Sequence, residues 1–229
     1  MLTAAAIALA ACGSDRPSSE VPPQTDFDAA NFTNPTTIDN PYYPLVPGTI
    51  LKYVENDKGE ISDDTVTITS DTKTITGVSC VVVHDVVTKH GRITEDTYDW
   101  VAQRNDGSVW YFGEDTKEIT AGGMVSTLGS WEAGVQGSQP GILMPGHPAP
   151  GPAYRQEYGL GAAEDMGQIV ALDESVTVPA GTFTGCVKTK EWSLLEAGHE
   201  FKWYARGVGV VRELATDGTE AKLVSITRP

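Results

Sequence analysis

The feature that most constrains this chain is that it repeats itself. Cys80 and Cys186 each open a β-rich run, and a similar phrase stands before each of them, Thr74-Ile75-Thr76-Gly77 in one case and Thr182-Phe183-Thr184-Gly185 in the other. Downstream come Tyr98-Asp99-Trp100-Val101-Ala102 and Phe201-Lys202-Trp203-Tyr204-Ala205. A turn and another apolar run follow each, around Val109-Trp110 and Val210-Val211. Strand side chains alternate between faces, so a spacing difference of two residues leaves every side chain on its own face. The two stretches read as copies of one three-stranded meander. Trp100 and Trp203 share a face with Tyr98 and Phe201 and are expected in the core, with Asp99 and Lys202 on the opposite face.

The rest of the chain has the same texture. Alternating or continuous β-rich runs at 52–55, 64–70, 80–87, 93–102, 109–112, 153–158, 169–179, 187–193, 200–205, 209–214 and 221–227 are separated by turn signals such as Asn105-Asp106-Gly107. No window sustains a period of 3.6 residues, although 162–171 could form a short helix. The expected fold is mainly β: an antiparallel curved sheet, half-barrel or sandwich, built from two similar meander halves.

Residues 1–11, MLTAAAIALAA, are uncharged and apolar, too short to cross a bilayer and of signal-peptide length. Leu9-Ala10-Ala11-Cys12 resembles the lipobox of bacterial lipoproteins. The resemblance implies cleavage before Cys12 and acylation of that residue by chains such as palmitate, enough together for a stable hold on a lipid bilayer. No Lys or Arg precedes the apolar run, which points to a truncated or misassigned start codon. Pro17, Pro22, Pro23, Pro35 and Pro41 stand among polar residues and read as a tether. The expected organisation is a signal peptide at 1–11, a lipid anchor and flexible tether at 12–41, and a β-rich domain at 42–229 in the cell envelope, facing the periplasm or exterior.

Acidic residues outnumber basic ones 31 to 16, for a formal charge of −15. Nucleic acid and anionic lipid faces would be repelled. With Cys12 acylated, Cys80 and Cys186 remain as a candidate disulfide in an oxidising compartment.

Motifs for catalysis are missing. There is no G-x-S-x-G, H-E-x-x-H, C-x-x-C or calcium-loop pattern, and His84, His90, His147 and His199 are widely spaced. No cofactor is identified. Carboxylates offer more: Glu95 and Asp99 share one strand face, and Glu114-Asp115 ends the facing strand. These four could converge on a divalent cation, which takes several oxygens at once, or stand as solvated rim charges. The Gly- and Pro-rich stretch 134–151 reads as a long loop, with Trp131, Met144, His147 and Tyr154 as candidate pocket residues. The functional expectation is a non-enzymatic binding module for a small ligand, cation or envelope partner. The alternatives are a secreted carboxylate-dependent hydrolase and a purely structural envelope protein.

Four phrases carry a family resemblance: Asn40-Pro41-Tyr42-Tyr43-Pro44-Leu45-Val46-Pro47-Gly48, Trp110-Tyr111-Phe112-Gly113-Glu114-Asp115, Tyr154-Arg155-Gln156-Glu157-Tyr158 and Tyr204-Ala205-Arg206-Gly207-Val208-Gly209-Val210-Val211. Over about residues 40–229 the chain resembles the TapB-like family of exported bacterial proteins. That resemblance implies a β-rich extracytoplasmic domain and carries no catalytic residues with it.

Overall fold

The structure, a computed structural model, describes residues 26–229; the apolar segment and Cys12 lie outside the described residues. Strands follow in chain order as β1 Ile50–Asp57, β2 Glu60–Ile75, β3 Val78–Lys89, β4 Arg92–Gln103, β5 Val109–Ile119, β6 Val125–Ser126, β7 Trp131–Glu132 and β8 Gln139–Met144. They continue as β9 Tyr154–Arg155, β10 Glu157–Tyr158, β11 Asp165–Val178, β12 Gly181–Ser193, β13 Glu200–Ala205, β14 Gly209–Ala215 and β15 Glu220–Thr227. The one helical element among the described residues is a 3-10 turn, Ala29–Asn31. Residues 162–171, read above as a possible helix, instead lead into β11. The supposed loop 134–151 contains β8, which pairs with β5.

Hydrogen-bonded neighbours run β10-β8-β5-β4-β3-β2-β1-β15-β14-β13-β12-β11-β9. One short stretch spans the two ends of this path. Residues 154–155 lie on β11, residues 157–158 lie on β8, and between them the Gln156 N–H donates to the Asp165 carbonyl at 2.8 Å. The antiparallel sheet thereby curls into a nearly closed barrel and leaves little unpaired edge.

The repeat is present in the register. Val82 faces Trp100 as Lys188 faces Trp203, Asp99 faces Glu114 as Lys202 faces Glu213, and the pairing slips beside each tryptophan. Burial from Cys80 to Asp85 matches burial from Cys186 to Glu191 position by position. The phrases before the cysteines do not correspond. Thr76-Gly77 makes the β2–β3 turn, whereas Thr182–Gly185 lies inside β12, where Gly185 takes a φ of 67°.

Trp100 and Trp203 are buried in the hydrophobic core cluster, as expected, but on the face opposite the cavity. They lie on the outside of the barrel, under cationic side chains. The Lys73 ammonium sits 3.3 Å from the Trp100 ring centre, and Lys188 and Arg212 each sit 4.7 Å from that of Trp203. Asp99 and Lys202 point inward. Alternation assigns residues to two faces but does not say which is the core when long charged stems cover the outer one.

Residues 26–41, read above within the tether, pack on the barrel. The rings of Phe27 and Phe32 lie 5.6–6.3 Å from those of Trp110 and Phe112. Asn40 is buried, and its Nδ2 donates to the carbonyls of Gly107 at 2.8 Å and Pro145 at 3.2 Å. The chain then straps across that end of the barrel. The Gly207 N–H donates to the Pro41 carbonyl at 2.7 Å, and the Arg206 guanidinium lies 5.0 Å from the Tyr42 ring centre. The strap thus runs from the β4–β5 turn to the equivalent β13–β14 turn and carries Tyr43 and Leu45 into the interior.

Candidate functional site: the acidic interior of the barrel

In the second half, β12, β13 and β14 aim Glu191, Lys202 and Glu213 at one another. Lys202 is 3% exposed, and its Nζ lies 3.3 Å from Glu191, 3.0 Å from Glu200 and 3.7 Å from Glu213. Burial alone would favour the neutral amine, but these carboxylates hold the Lys202 pKa well above its usual value. Glu191 also accepts from the Thr189 hydroxyl at 2.7 Å and the Tyr204 hydroxyl at 2.9 Å. Burial pushes Glu191 up, yet Lys202 and those hydroxyls outweigh it and keep its pKa below the ordinary range. Glu213 is farther from the ammonium, and burial raises it to about 7.

The first half places Asp85, Asp99 and Glu114 at the same three positions. Asp85 stands five residues after Cys80 as Glu191 does after Cys186, and Asp99 faces Glu114 as Lys202 faces Glu213. The central cation has become a third carboxyl group. Asp99 accepts from the Tyr111 hydroxyl at 2.6 Å. Beside this group, on β2, Asp64 is fully buried against Asp85, and no other group of the chain donates to its carboxyl oxygens or to Asp85 Oδ1. Two such carboxyl groups can bond to each other only by sharing a proton.

The electrostatics follow. Burial, then the charges of Asp85 and its neighbours, raises Asp99 to about 7 and Glu95 to about 8. Burial and Asp85 drive Asp64 well above the carboxylate range, and burial with Asp99 and Glu95 does the same to Glu114. Glu157, from the stretch that spans the sheet ends, is raised by burial, Asp165 and Glu114.

A cavity of about 30 Å³ lies between the halves, beneath the strap. Its walls are apolar at Leu51, Val66 and Val101, and polar where Tyr53, Asp85 and Asp99 reach it; Tyr43 forms part of its lid. A volume of that size holds a group no larger than one or two waters.

Of the four carboxylates read as a cation site, Glu95, Asp99 and Glu114 face the interior. Asp115 does not; it is half-exposed beside Lys117 at 3.5 Å. Among the described residues no group of three or more His, Cys, Asp and Glu side chains is arranged to hold a metal ion. The four candidate pocket residues are not brought together. Trp131 packs edge-on against Tyr111, Met144 is fully buried opposite Val109, His147 is exposed, and Tyr154 lies on β9. Cys80 and Cys186 are both buried free thiols, so the disulfide considered above is not formed. They sit on β3 and β12, with five strands between them on the sheet path. At about 4.8 Å per strand that is far beyond the roughly 7 Å a bridge allows along the sheet.

Sequence reasoning missed Asp64, Asp85, Glu191, Lys202 and Glu213. The signal was available for two of them: an acid five residues after each repeated cysteine.

No family model matches the chain, so none supports the TapB-like resemblance, and no curated protein matches it. Two solved structures are similar. One is of a Bacteroides fragilis protein with a YmcC-like fold, at a TM-score of 0.50 and 16% identity, covering 82% of this chain and 99% of that one. The other is of a Parabacteroides distasonis protein described as a lipoprotein, at a TM-score of 0.45 and 17% identity, covering 81% and 98%. The first likeness is one of fold.

Proposed function

We propose that this chain is an exported, lipid-anchored binding protein, held at a membrane by acylated Cys12, whose barrel interior takes a small cationic ligand. The observation that carries this reading is the buried carboxyl pair Asp64–Asp85 at the cavity under the strap, whose oxygens meet no donor except a proton the two share. A buried polar group without a partner is costly, and a ligand that pairs with it relieves that cost. The Bacteroides fragilis protein of similar fold is described as exported, in agreement with the lipobox-like Leu9-Ala10-Ala11-Cys12. Hydrolysis of a polymer is less well served, because that chemistry needs carboxyl groups facing each other across an accessible cleft. Here they lie inside a nearly closed barrel.

Native mass spectrometry of the full chain purified from its own membranes tests the binding role; a retained small basic molecule is expected. Recovery of ligand-free protein that also takes up nothing from an envelope extract would overturn it. For the anchor, Cys12→Ala should move the protein from the membrane fraction to the soluble one. An unchanged membrane fraction would refute acylation at that residue.

A further inference from the structure

We propose that the first half of the barrel binds a primary ammonium group of the ligand between Asp85, Asp99 and Glu114, where the second half holds the ammonium of its own Lys202. This rests on reading the barrel interior as the ligand site and names the chemistry that the site selects.

The molecule supplies its own template. Lys202, on the middle strand of one meander, projects an ammonium between an acid five residues after a cysteine and an acid directly across the next strand pair. The other meander keeps these two acids, as Asp85 and Glu114, has Thr97 where Glu200 stands, and puts Asp99 at the central position. Asp99 is shorter than lysine and of opposite sign, so the place of the ammonium is left to be filled from outside the chain.

Independent features mark the same spot. Asp85 lines the cavity and is 3% exposed, and Asp64 beside it is fully buried; apart from a proton shared between the two, no group of the chain donates to Asp85 Oδ1 or to either Asp64 oxygen. An R–NH3+ head has three donors and no acceptor, which matches a wall of acceptors. The cavity's volume of about 30 Å³ suits that head. Leu51, Val66 and Val101 line the same cavity between the carboxylates and Tyr43 on the strap, so an alkyl stem on that head would lie along apolar side chains with the strap displaced outward. A divalent metal ion is a poorer match, since the carboxyl groups are not arranged as a ligand set.

The test uses the full-length protein at neutral pH. Thermal unfolding is followed in millimolar propylammonium chloride, with 1-propanol, sodium chloride and calcium chloride as separate arms. The expected result is a saturable rise in Tm with propylammonium alone. Asp99→Lys puts the second half's cation into the first half; it should melt above wild type and no longer respond to propylammonium. Asp99→Asn, which keeps the size of the side chain, should fold and bind propylammonium about tenfold more weakly, the loss expected for one charged hydrogen-bond partner. A flat propylammonium titration of wild type would overturn the assignment, as would an undiminished response in Asp99→Asn. A rise with calcium instead would replace the ammonium by a divalent cation. If native mass spectrometry finds a retained ligand that lacks an amine while propylammonium has no effect, the ammonium site falls and the binding role stands.

Discussion

In the second half of the barrel Lys202 stands between Glu191 and Glu213, and in the first half the same positions hold Asp99, Asp85 and Glu114. The strand register is shared, down to the slip beside each tryptophan. The central position, together with Glu200, the acid nearest Lys202, whose counterpart is Thr97, separates a buried ion cluster that completes itself from a buried acid cluster that does not. The same strand register can hold its interior carboxyl groups ionised or protonated, according to whether the central strand contributes a cation.

The strongest way to break this comparison is to remove the cation. Lys202→Met should destabilise the fold by about 3–5 kcal/mol, because Glu191 and Glu213 are left buried without their partner. Asp99→Asn at the equivalent position should leave stability unchanged or higher at about pH 8, where it removes a charge that burial disfavours. Urea unfolding of both variants decides it; equal losses would mean that the two positions are not opposites.

The pH dependence should separate the halves next. Asp99 and Glu95 have native pKa values of about 7 and about 8, above their unfolded values. Their protonated forms therefore favour the fold fully below about pH 4, and that contribution is lost as pH rises through the native values. Asp99 is faced by Asp85 from β3, by Tyr111 and Glu114 from β5 and by Tyr43 from the strap; burial, which raises the Asp99 pKa, outweighs His84 on β3, the neighbouring group whose positive charge pulls it down. Glu191 runs the other way: its depressed pKa stabilises above the unfolded value and is lost in acid. The melting temperature should fall between about pH 5 and pH 8, and Asp99→Asn should flatten that fall. A melting temperature that climbs over this range in wild type would contradict the assignment.

A smaller difference lies on the outer surface. Trp100 is covered by Lys73, whereas Trp203 is covered by both Lys188 and Arg212. Lys73→Met should cost about 0.5–1 kcal/mol, the range for an exposed cation–π contact. Lys188→Met should cost less, since Arg212 remains over the ring. Chemical denaturation of the two variants gives the order, and a larger loss for Lys188→Met would reverse it.

The smallest effect concerns the cysteines, which occupy equivalent positions in the two halves. A thiol reagent should find both Cys80 and Cys186 in denatured, unreduced protein and neither quickly in the native state, because burial raises the pKa of each thiol. Reductant should leave the melting temperature unchanged. Absence of reactive thiols after denaturation would mean that the halves are covalently joined.

Much of this architecture could be read before any coordinates. Alternating β-branched residues, Asn105-Asp106-Gly107 and the twin phrases around Trp100 and Trp203 establish an antiparallel sheet of two similar meanders, because strand geometry and tight turns are local properties of the chain. The facing of Glu95 and Asp99 was legible for the same reason. Other features were not local. The closure at residues 154–158, the strap carrying Tyr43, and the packing of Phe27 and Phe32 on Trp110 and Phe112 join residues far apart in sequence.

By itself the sequence determined the strands, the repeat and the two faces of each strand, since a period of two is written in neighbouring residues. Only the tertiary structure decided which face is inside. It turned Trp100 and Trp203 outward under lysine and arginine stems and enclosed Asp64, Asp85, Asp99 and Glu114 in the barrel. The physical reason is that burial depends on what covers a face, and here the cover comes from other strands and from the N-terminal segment.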